Sequence, residues 1–181
     1  YSMVNGTESQ NNFSLGTDYE MQTFIYGISS VLGQAYLEPP SVAGWPAYYQ
    51  EPSFSRLWMN ATHVKTRFDI SSFFTIYTGI PVNGDNWKVN AIGFLDNLSI
   101  PADPVQVIDD IVDVFCPKSV GAIQKLILKS ILTNGQPDFE WTIQYNEYLA
   151  DPVNPTFSDP VRLRVELVLA RVFQTPEFHT M

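Results

Sequence analysis

Residues 120–132 read VGAIQKLILKSIL, and this stretch decides the predicted fold class. Its apolar residues fall on nearly every side of a helix, and they are Val120, Ile123, Leu126, Ile127, Ile131 and Leu132. A helix that is apolar all round is normally buried among other elements. We therefore predict that these residues form the central, buried helix of the domain, ended by Asn134 and Gly135.

The segments on both sides of this stretch repeat the same helical pattern. Apolar residues at helical spacing and helix-start signals predict further helices at residues 18–37, 61–77, 91–98, from 103 onward, at 138–150 and from 159 to about 174. Asn60, Asn90, Asp103 and Asp159 are the expected N-caps, and the last two precede a proline. Residues 79–85 are rich in turn formers and are compatible with a short hairpin.

These segments together predict an all-α fold, an irregular multi-helix bundle of about six helices. A chain of 181 residues fits one domain. Residues 1–17 are rich in Asn, Ser, Gly and Thr, and we expect a flexible lead-in there. Residues 18–181 are then a single helical domain.

A long segment without regular structure interrupts this pattern after the first helix. Residues 39–54 contain four prolines and Gly44, so neither a helix nor a strand can pass through them. Loops of this length in compact domains are either functional or packed by their own side chains. Aromatic residues suited to both roles are Trp45, Tyr48, Tyr49, Phe54 and Trp58. We predict an ordered loop and leave open whether its aromatic side chains are exposed or buried.

The charge of the chain argues against two classes of partner. Ten Lys and Arg against nineteen Asp and Glu give a net charge of −9, and no local basic cluster offsets it. Such a chain repels phosphate backbones and anionic lipid surfaces, so we expect no nucleic-acid partner. No apolar run is long enough to predict a membrane span.

Several short motifs resemble, in their order along the chain, a bacterial family catalogued as domain of unknown function 1800. They are Gly33-Gln34, Pro39-Pro40-Ser41-Val42-Ala43-Gly44-Trp45, Trp58-Met59-Asn60, Arg67 and the closing Thr175-Pro176-Glu177-Phe178. The segments Tyr48–Pro52 and Trp141–Ala150 are similar to those of Bacteroidetes-type members. The resemblance covers only the C-terminal part of the longer family pattern, which implies that an N-terminal helical region lies upstream in the same polypeptide.

This resemblance implies an exported protein, periplasmic or at the cell surface, and supplies no catalytic residue. The candidate binding residues are therefore those of the motif and its loop: Pro39, Pro40, Val42, Gly44, Trp45, Tyr48, Tyr49, Trp58, Asn60 and Arg67. The same residues also have a structural interpretation, in which the prolines end a helix and Trp45 fills a helix junction. Arg67 would then cap loop carbonyls or stack on Trp45 or Trp58.

No sequence motif for catalysis, a metal or a cofactor is present. Cys116 follows an apolar stretch and is expected to be a small buried hydrophobe rather than a reactive thiol. His63 has no neighbouring triad in the sequence, and Asp109, Asp110 and Asp113 predict a solvated acidic helix face rather than a cation site. Whether the whole protein is an enzyme stays open.

Three functions fit these observations. The first is a non-catalytic domain for assembly or partner binding. The second is an accessory domain of an enzyme whose reactive residues lie upstream, and it predicts an exposed apolar patch where the upstream region packs. The third is a carbohydrate-binding module that uses the aromatic side chains of the loop. The expected partners are therefore protein or carbohydrate, with no cofactor.

Overall fold

The computed structural model describes residues 15–35, 37–38, 42, 60–76, 79–82 and 85–179. These residues are mostly helical, as predicted. In chain order the elements are α1 (Leu15–Val31), α2 (Ala61–Thr75), β1 (Ile80–Val82), β2 (Asp85–Trp87), α3 (Ala91–Leu95), α4 (Pro104–Phe115), α5 (Ala122–Leu132), α6 (Asp138–Ala150), α7 (Pro155–Phe173) and α8 (Pro176–His179). The strands β1 and β2 form an antiparallel pair with Ile80 opposite Trp87. None of the helices within the described ranges is long and apolar enough to cross a membrane.

Three of the predicted N-caps are confirmed. The side chains of Asn60, Asn90 and Asp103 each accept a hydrogen bond from a backbone N–H in the first turn of α2, α3 and α4. Pro104 takes the first helical position of α4, where its missing N–H leaves no bond unmade. These caps satisfy donors that a helix leaves open at its start, and each stabilises its helix by about 1 kcal/mol.

The helix at the centre of the fold is α7, so the prediction that residues 120–132 are central is wrong. Helix α7 packs against α2, α3, α4, α5 and α6, and its fully buried residues include Val161, Val165, Val168, Leu169 and Val172. Helix α5 has 11 residues against the 19 of α7. Among the described elements it packs mainly against α4 and α7, and its buried residues are Leu128 and Leu132.

Helix α7 also begins earlier than predicted. The expected start at Asp159 and Pro160 is wrong, because Asn154 is the N-cap and Pro155 occupies the first turn. Both pairs carry the same cap-and-proline signal, and the earlier one prevails. The extra turn packs Phe157 against the core. Pro160 then lies inside α7, where it is exposed to solvent.

Helix α1 ends earlier than its apolar pattern predicts, at Val31 instead of residue 37. Gly33 has a φ of +70°, which ends the helical path. The N–H of Gln34 donates to the Ser29 carbonyl and the N–H of Gly33 donates to the Ser30 carbonyl. This pair of bonds is the Schellman motif, in which a glycine closes a helix C-terminus. Gly33 of the Gly-Gln motif is therefore a helix-ending residue.

Two hydrophobic clusters hold the described residues together. In the larger cluster, α3, α4, α5 and α6 pack around α7. Its largest fully buried side chain is Trp141. The smaller cluster consists of Met21, Ile80 and Trp87, with Phe24 and Phe74 packed against it. Phe74 and Trp87 meet edge to face with ring centroids 4.9 Å apart.

An ion pair joins the smaller cluster to the larger one. Lys88 follows β2, and its Nζ lies 2.8 Å from Oε1 of Glu166 on α7. The Glu166 carboxylate is buried, and Nε of Arg162 is its second cationic neighbour at 3.8 Å. A buried carboxylate needs such partners, because burial without them is strongly unfavourable.

Candidate functional site

Most of the predicted binding loop lies outside the described residues. This applies to Pro39, Pro40, Gly44, Trp45, Tyr48, Tyr49 and Trp58. Three members of the candidate set are described: Val42, Asn60 and Arg67. Val42 is fully exposed, and the other two lie on α2 or at its start. The carbohydrate-binding alternative depends on the loop aromatics and stays a prediction.

Asn60 positions His63 as well as capping α2. Its Oδ1 accepts from the His63 backbone N–H at 2.9 Å, and its Nδ2 lies 3.1 Å from Nδ1 of the His63 ring. An amide nitrogen can only donate, so the Asn60 side chain offers a donor to this ring nitrogen. Asn60 therefore both caps α2 and contacts the His63 ring.

The Gly33-Gln34 motif meets α2 through two contacts. A methyl group added to Gly33 would lie 3.0 Å from Cε1 of His63, so only a glycine fits there without displacing the ring. One turn further along α2, Nη2 of Arg67 donates to Oε1 of Gln34 at 3.2 Å. The structure thus brings together three parts of the motif that are separated in the sequence.

Arg67 is a half-buried cation whose described neighbours include no carboxylate. Burial lowers the pKa of its guanidinium. Its Nε is buried and has no hydrogen-bond partner within the described parts of the chain. The predicted stacking on Trp45 or Trp58 falls on residues outside those parts. The hydrogen bond of Arg67 to Gln34 links the chain just after α1 to α2.

His179 on α8 is the other histidine of the described residues, and it packs beside α2. Its ring centroid lies 6.3 Å from that of Phe68. Burial lowers the His179 pKa, the charge of Arg67 lowers it further, and a hydrogen bond to the backbone of Phe173 partly opposes both. The lowered pKa favours the neutral form of the ring.

Two of the three aspartates on the acidic face of α4 contact other residues, and the third is exposed. Asp109 forms an ion pair with Lys125 of α5 at 2.7 Å, and Asp110 accepts from the backbone and hydroxyl of Ser99. These hydrogen bonds from Ser99 lower the Asp110 pKa. Asp113 is exposed. No group of three or more His, Cys, Asp or Glu within the described ranges is arranged to hold a metal ion.

Cys116 is buried, as predicted for a small hydrophobe. Burial raises the pKa of its thiol, while a hydrogen bond with Thr175 opposes this shift in part. A raised pKa disfavours the thiolate, which is the reactive form of cysteine. Cys116 is therefore a core residue of the larger cluster.

An unexpected apolar surface lies on α5, where the sequence predicted burial. Ile123 is 76% exposed, Leu126 60% and Ile127 49%. Their spacing of three and four residues places them together on one side of the helix. We call these three residues the α5 face. This stretch also contains the charged residues Lys125 and Lys129. They were the sequence signal that α5 is not buried on every side.

A groove of about 100 Å³ continues the α5 face toward the C-terminal end of α7, and its lining residues are Gln124, Ile127, Leu128, Arg171, Gln174, Thr175 and Pro176. Arg171 stands on the wall opposite Ile127. It forms no ion pair with any carboxylate of the described residues. The groove thus combines apolar surface with the guanidinium of Arg171, which has no ion-pair partner among the described residues.

Comparisons with models of protein families, with curated proteins and with solved structures each find no match to this chain. The resemblance to the domain of unknown function 1800 family therefore stays a prediction that rests on the motifs themselves.

Proposed function

We propose that this chain is a non-catalytic helical domain of an exported bacterial protein that serves assembly by binding a protein partner. The observation that carries the proposal is the α5 face. Soluble proteins leave single apolar residues exposed, but contiguous apolar surfaces of this kind are typical of interaction sites. The bacterial and exported context comes from the family resemblance alone.

The chemistry of the described residues supports binding rather than catalysis. Within the described ranges no contact joins either histidine to a nucleophile that it could activate, and the single thiol is buried with a raised pKa. In contrast, the α5 face offers large side chains that lose contact with water when a partner covers them. Removing apolar area from water contributes about 25 cal/mol for each Å², and the entropy cost of association offsets part of this gain.

The same observation favours a second candidate, in which the upstream region of the polypeptide covers the α5 face. In that case the chain is an accessory domain of a larger protein, and reactive residues belong to the upstream region. The two candidates predict the same exposed surface on this chain and differ only in which polypeptide covers it.

Site-specific photocrosslinking in the full-length protein, in its native cells, separates these candidates. A photoreactive phenylalanine analogue at position 127 is compared with the same analogue at position 143 on α6. Ile143 is 48% exposed, which matches Ile127 closely. We expect an adduct with a second polypeptide at position 127 and none at position 143.

A crosslink within the same polypeptide at position 127 would instead establish the accessory-domain candidate. Equal yields at both positions would contradict both candidates, because the α5 face would then be an ordinary solvated surface.

A further inference from the structure

We infer that the groove between α5 and α7 receives an amphipathic helix of a separate protein, which places apolar side chains on Ile123 and Ile127 and a carboxylate on Arg171. This inference rests on the proposed function and names the kind of partner that fits the surface. Three properties of the groove support this inference: the helices that form its walls, the spacing of its exposed apolar side chains, and its charge.

The walls of the groove are two helices that pack side by side. The groove brings Gln124 and Ile127, in the first half of α5, beside Arg171 at the end of α7. Leu167 precedes Arg171 by one turn and shares its side of α7, where it is 37% exposed. Both walls thus present apolar side chains beyond the cavity itself.

The spacing of the exposed side chains matches that of a helix. Residues three and four apart on α5, at positions 123, 126 and 127, form a short ridge, and a groove beside such a ridge takes the ridge of another helix. Peptides that bind in this way present apolar anchors at positions i, i+3 or i+4 and i+7. A helix of about three turns, roughly 16 Å, spans the ridge.

The positive charge of the groove favours a carboxylate on the partner, because Arg171 lines it and no Asp or Glu does. Segment 114–137 contains Lys118, Lys125 and Lys129 but no Asp or Glu, although the whole chain has a net charge of −9. Lys125 and Lys129 are paired with Asp109 and Asp138.

Arg171 lines the groove and has no ion-pair partner in the part of the chain that the structure describes. Two acids lie close to it in sequence: Glu166 pairs with Lys88, and Oε2 of Glu177 accepts from Nε2 of Gln124 at 3.4 Å. The guanidinium of Arg171 therefore presents donors that fit a carboxylate in a forked geometry.

A second copy of this chain fits the groove less well than a separate partner. Two copies would bring together bodies that each carry a net charge of −9. The residues that line the groove include Arg171 and no Asp or Glu, so in a symmetric dimer the lining itself supplies no carboxylate to Arg171.

The test uses a displayed library of helical 14-residue peptides, with Leu, Ile or Phe fixed at i, i+4 and i+7 and the other positions randomised. The library is selected on the whole chain, and the affinities of selected peptides are measured by fluorescence anisotropy. We expect Asp or Glu to be enriched at one position. Ile127→Glu should weaken binding about tenfold or more, as expected for a central interface residue.

Two controls make the result specific. Ile143→Glu places the same charge on a side chain of matched exposure on α6 and should leave the affinity unchanged. Arg171→Glu should weaken binding of the acidic peptide about tenfold, and a peptide with Arg or Lys in place of the selected acid should bind this variant better than the wild type. Circular dichroism of each variant shows that the fold is retained.

The inference is overturned if selection finds no helical binder, or if the binders tolerate Ile127→Glu. It is also overturned if light scattering finds a dimer that Ile127→Glu dissociates, because the occupant is then a second copy. A crosslinked partner at position 127 together with a failed peptide selection would leave the proposed function standing and remove only the helical partner.

Discussion

The larger and the smaller hydrophobic clusters of this chain are stabilised in different ways. The larger cluster surrounds α7 with helices on several sides, and Val165, Val168 and Leu169 are completely buried. The smaller cluster buries Met21, Ile80 and Trp87 between α1, α2 and the β1–β2 pair. The ion pair of Lys88 with Glu166 ties its edge to α7.

The difference indicates that the N-terminal elements depend on the C-terminal ones. A cluster with few buried side chains gains little free energy by itself, and such regions open locally before the whole domain unfolds. We expect the larger cluster to set the global stability, while the smaller cluster responds to its aromatic contacts and to the ion pair. The following predictions test this comparison, beginning with the largest effect.

Leu169→Ala should lower the free energy of unfolding by about 2–5 kcal/mol, because it leaves a cavity beside the central helix. Leu126→Ala removes the same atoms from the exposed α5 face and should change stability by less than about 0.5 kcal/mol. Urea unfolding of both variants measures the difference. A small loss for Leu169→Ala would mean that α7 does not set the global stability.

Lys88→Ala should lower stability by about 1–3 kcal/mol, because it leaves the buried Glu166 carboxylate with only the more distant Arg162. Hydrogen exchange measures where the loss falls. We expect faster exchange in β1, β2 and α1 than in α7. Uniform acceleration across all helices would show instead that the two clusters unfold as one unit.

The double variant Lys88→Met, Glu166→Leu is the control for this experiment. It removes the ion pair without leaving an unpaired charge, and it should recover much of the lost stability.

Gly33→Ala should destabilise the chain by about 1–2 kcal/mol, because an alanine at a φ of +70° is strained. The added methyl group also meets His63. Gly135→Ala is the matched control, since its φ is +72° and the space around it is open. The excess loss at Gly33, measured by urea unfolding, is the contribution of the His63 contact. Equal losses would mean that the ring moves aside freely.

Arg67→Ala should lower the melting temperature only slightly, by the equivalent of less than about 1 kcal/mol. The variant loses the bond to Gln34 but also removes a buried Nε that has no partner among the described residues. Gln34→Ala, measured in parallel by thermal unfolding, isolates the shared hydrogen bond. A loss of several kcal/mol would show that Arg67 makes contacts beyond the described residues, as its sequence-based structural role requires.

Alkaline pH should weaken the larger cluster through Tyr145 and Tyr148. Both hydroxyls donate to the Asp96 carboxylate, and burial followed by the influence of Asp96 raises each pKa to about 12. The pKa in the unfolded chain is about 10, so the unfolded state releases these protons first as pH rises. Their contribution to stability is complete below about pH 10 and is lost as pH rises toward about 12.

The measurement is the urea midpoint of the wild type and of the Tyr145→Phe, Tyr148→Phe double variant across this pH range. The wild type should lose stability more steeply, so the two midpoints approach each other. Parallel curves would show that the two hydroxyls do not carry the pH dependence.

The candidate site could be predicted from the sequence only in part. Asn60 and Arg67 were identified, and the structure places them with Gln34 and His63. The residues of the predicted loop lie outside the described ranges. The α5 face was missed because helical periodicity reports which residues are apolar and says nothing about how many sides of a helix find a partner.

By itself, the sequence determined the features that depend on neighbours along the chain. The caps at Asn60, Asn90 and Asp103 form as predicted, because a side chain and an N–H two or three residues later are close in any helix start. The buried face of α4 likewise follows from its spacing. Tertiary structure alone decided that α7 is central and α5 peripheral, and which of two cap-proline pairs starts α7. The physical reason is that burial depends on what packs against a helix from distant parts of the chain, and many apolar contacts there outweigh local preference.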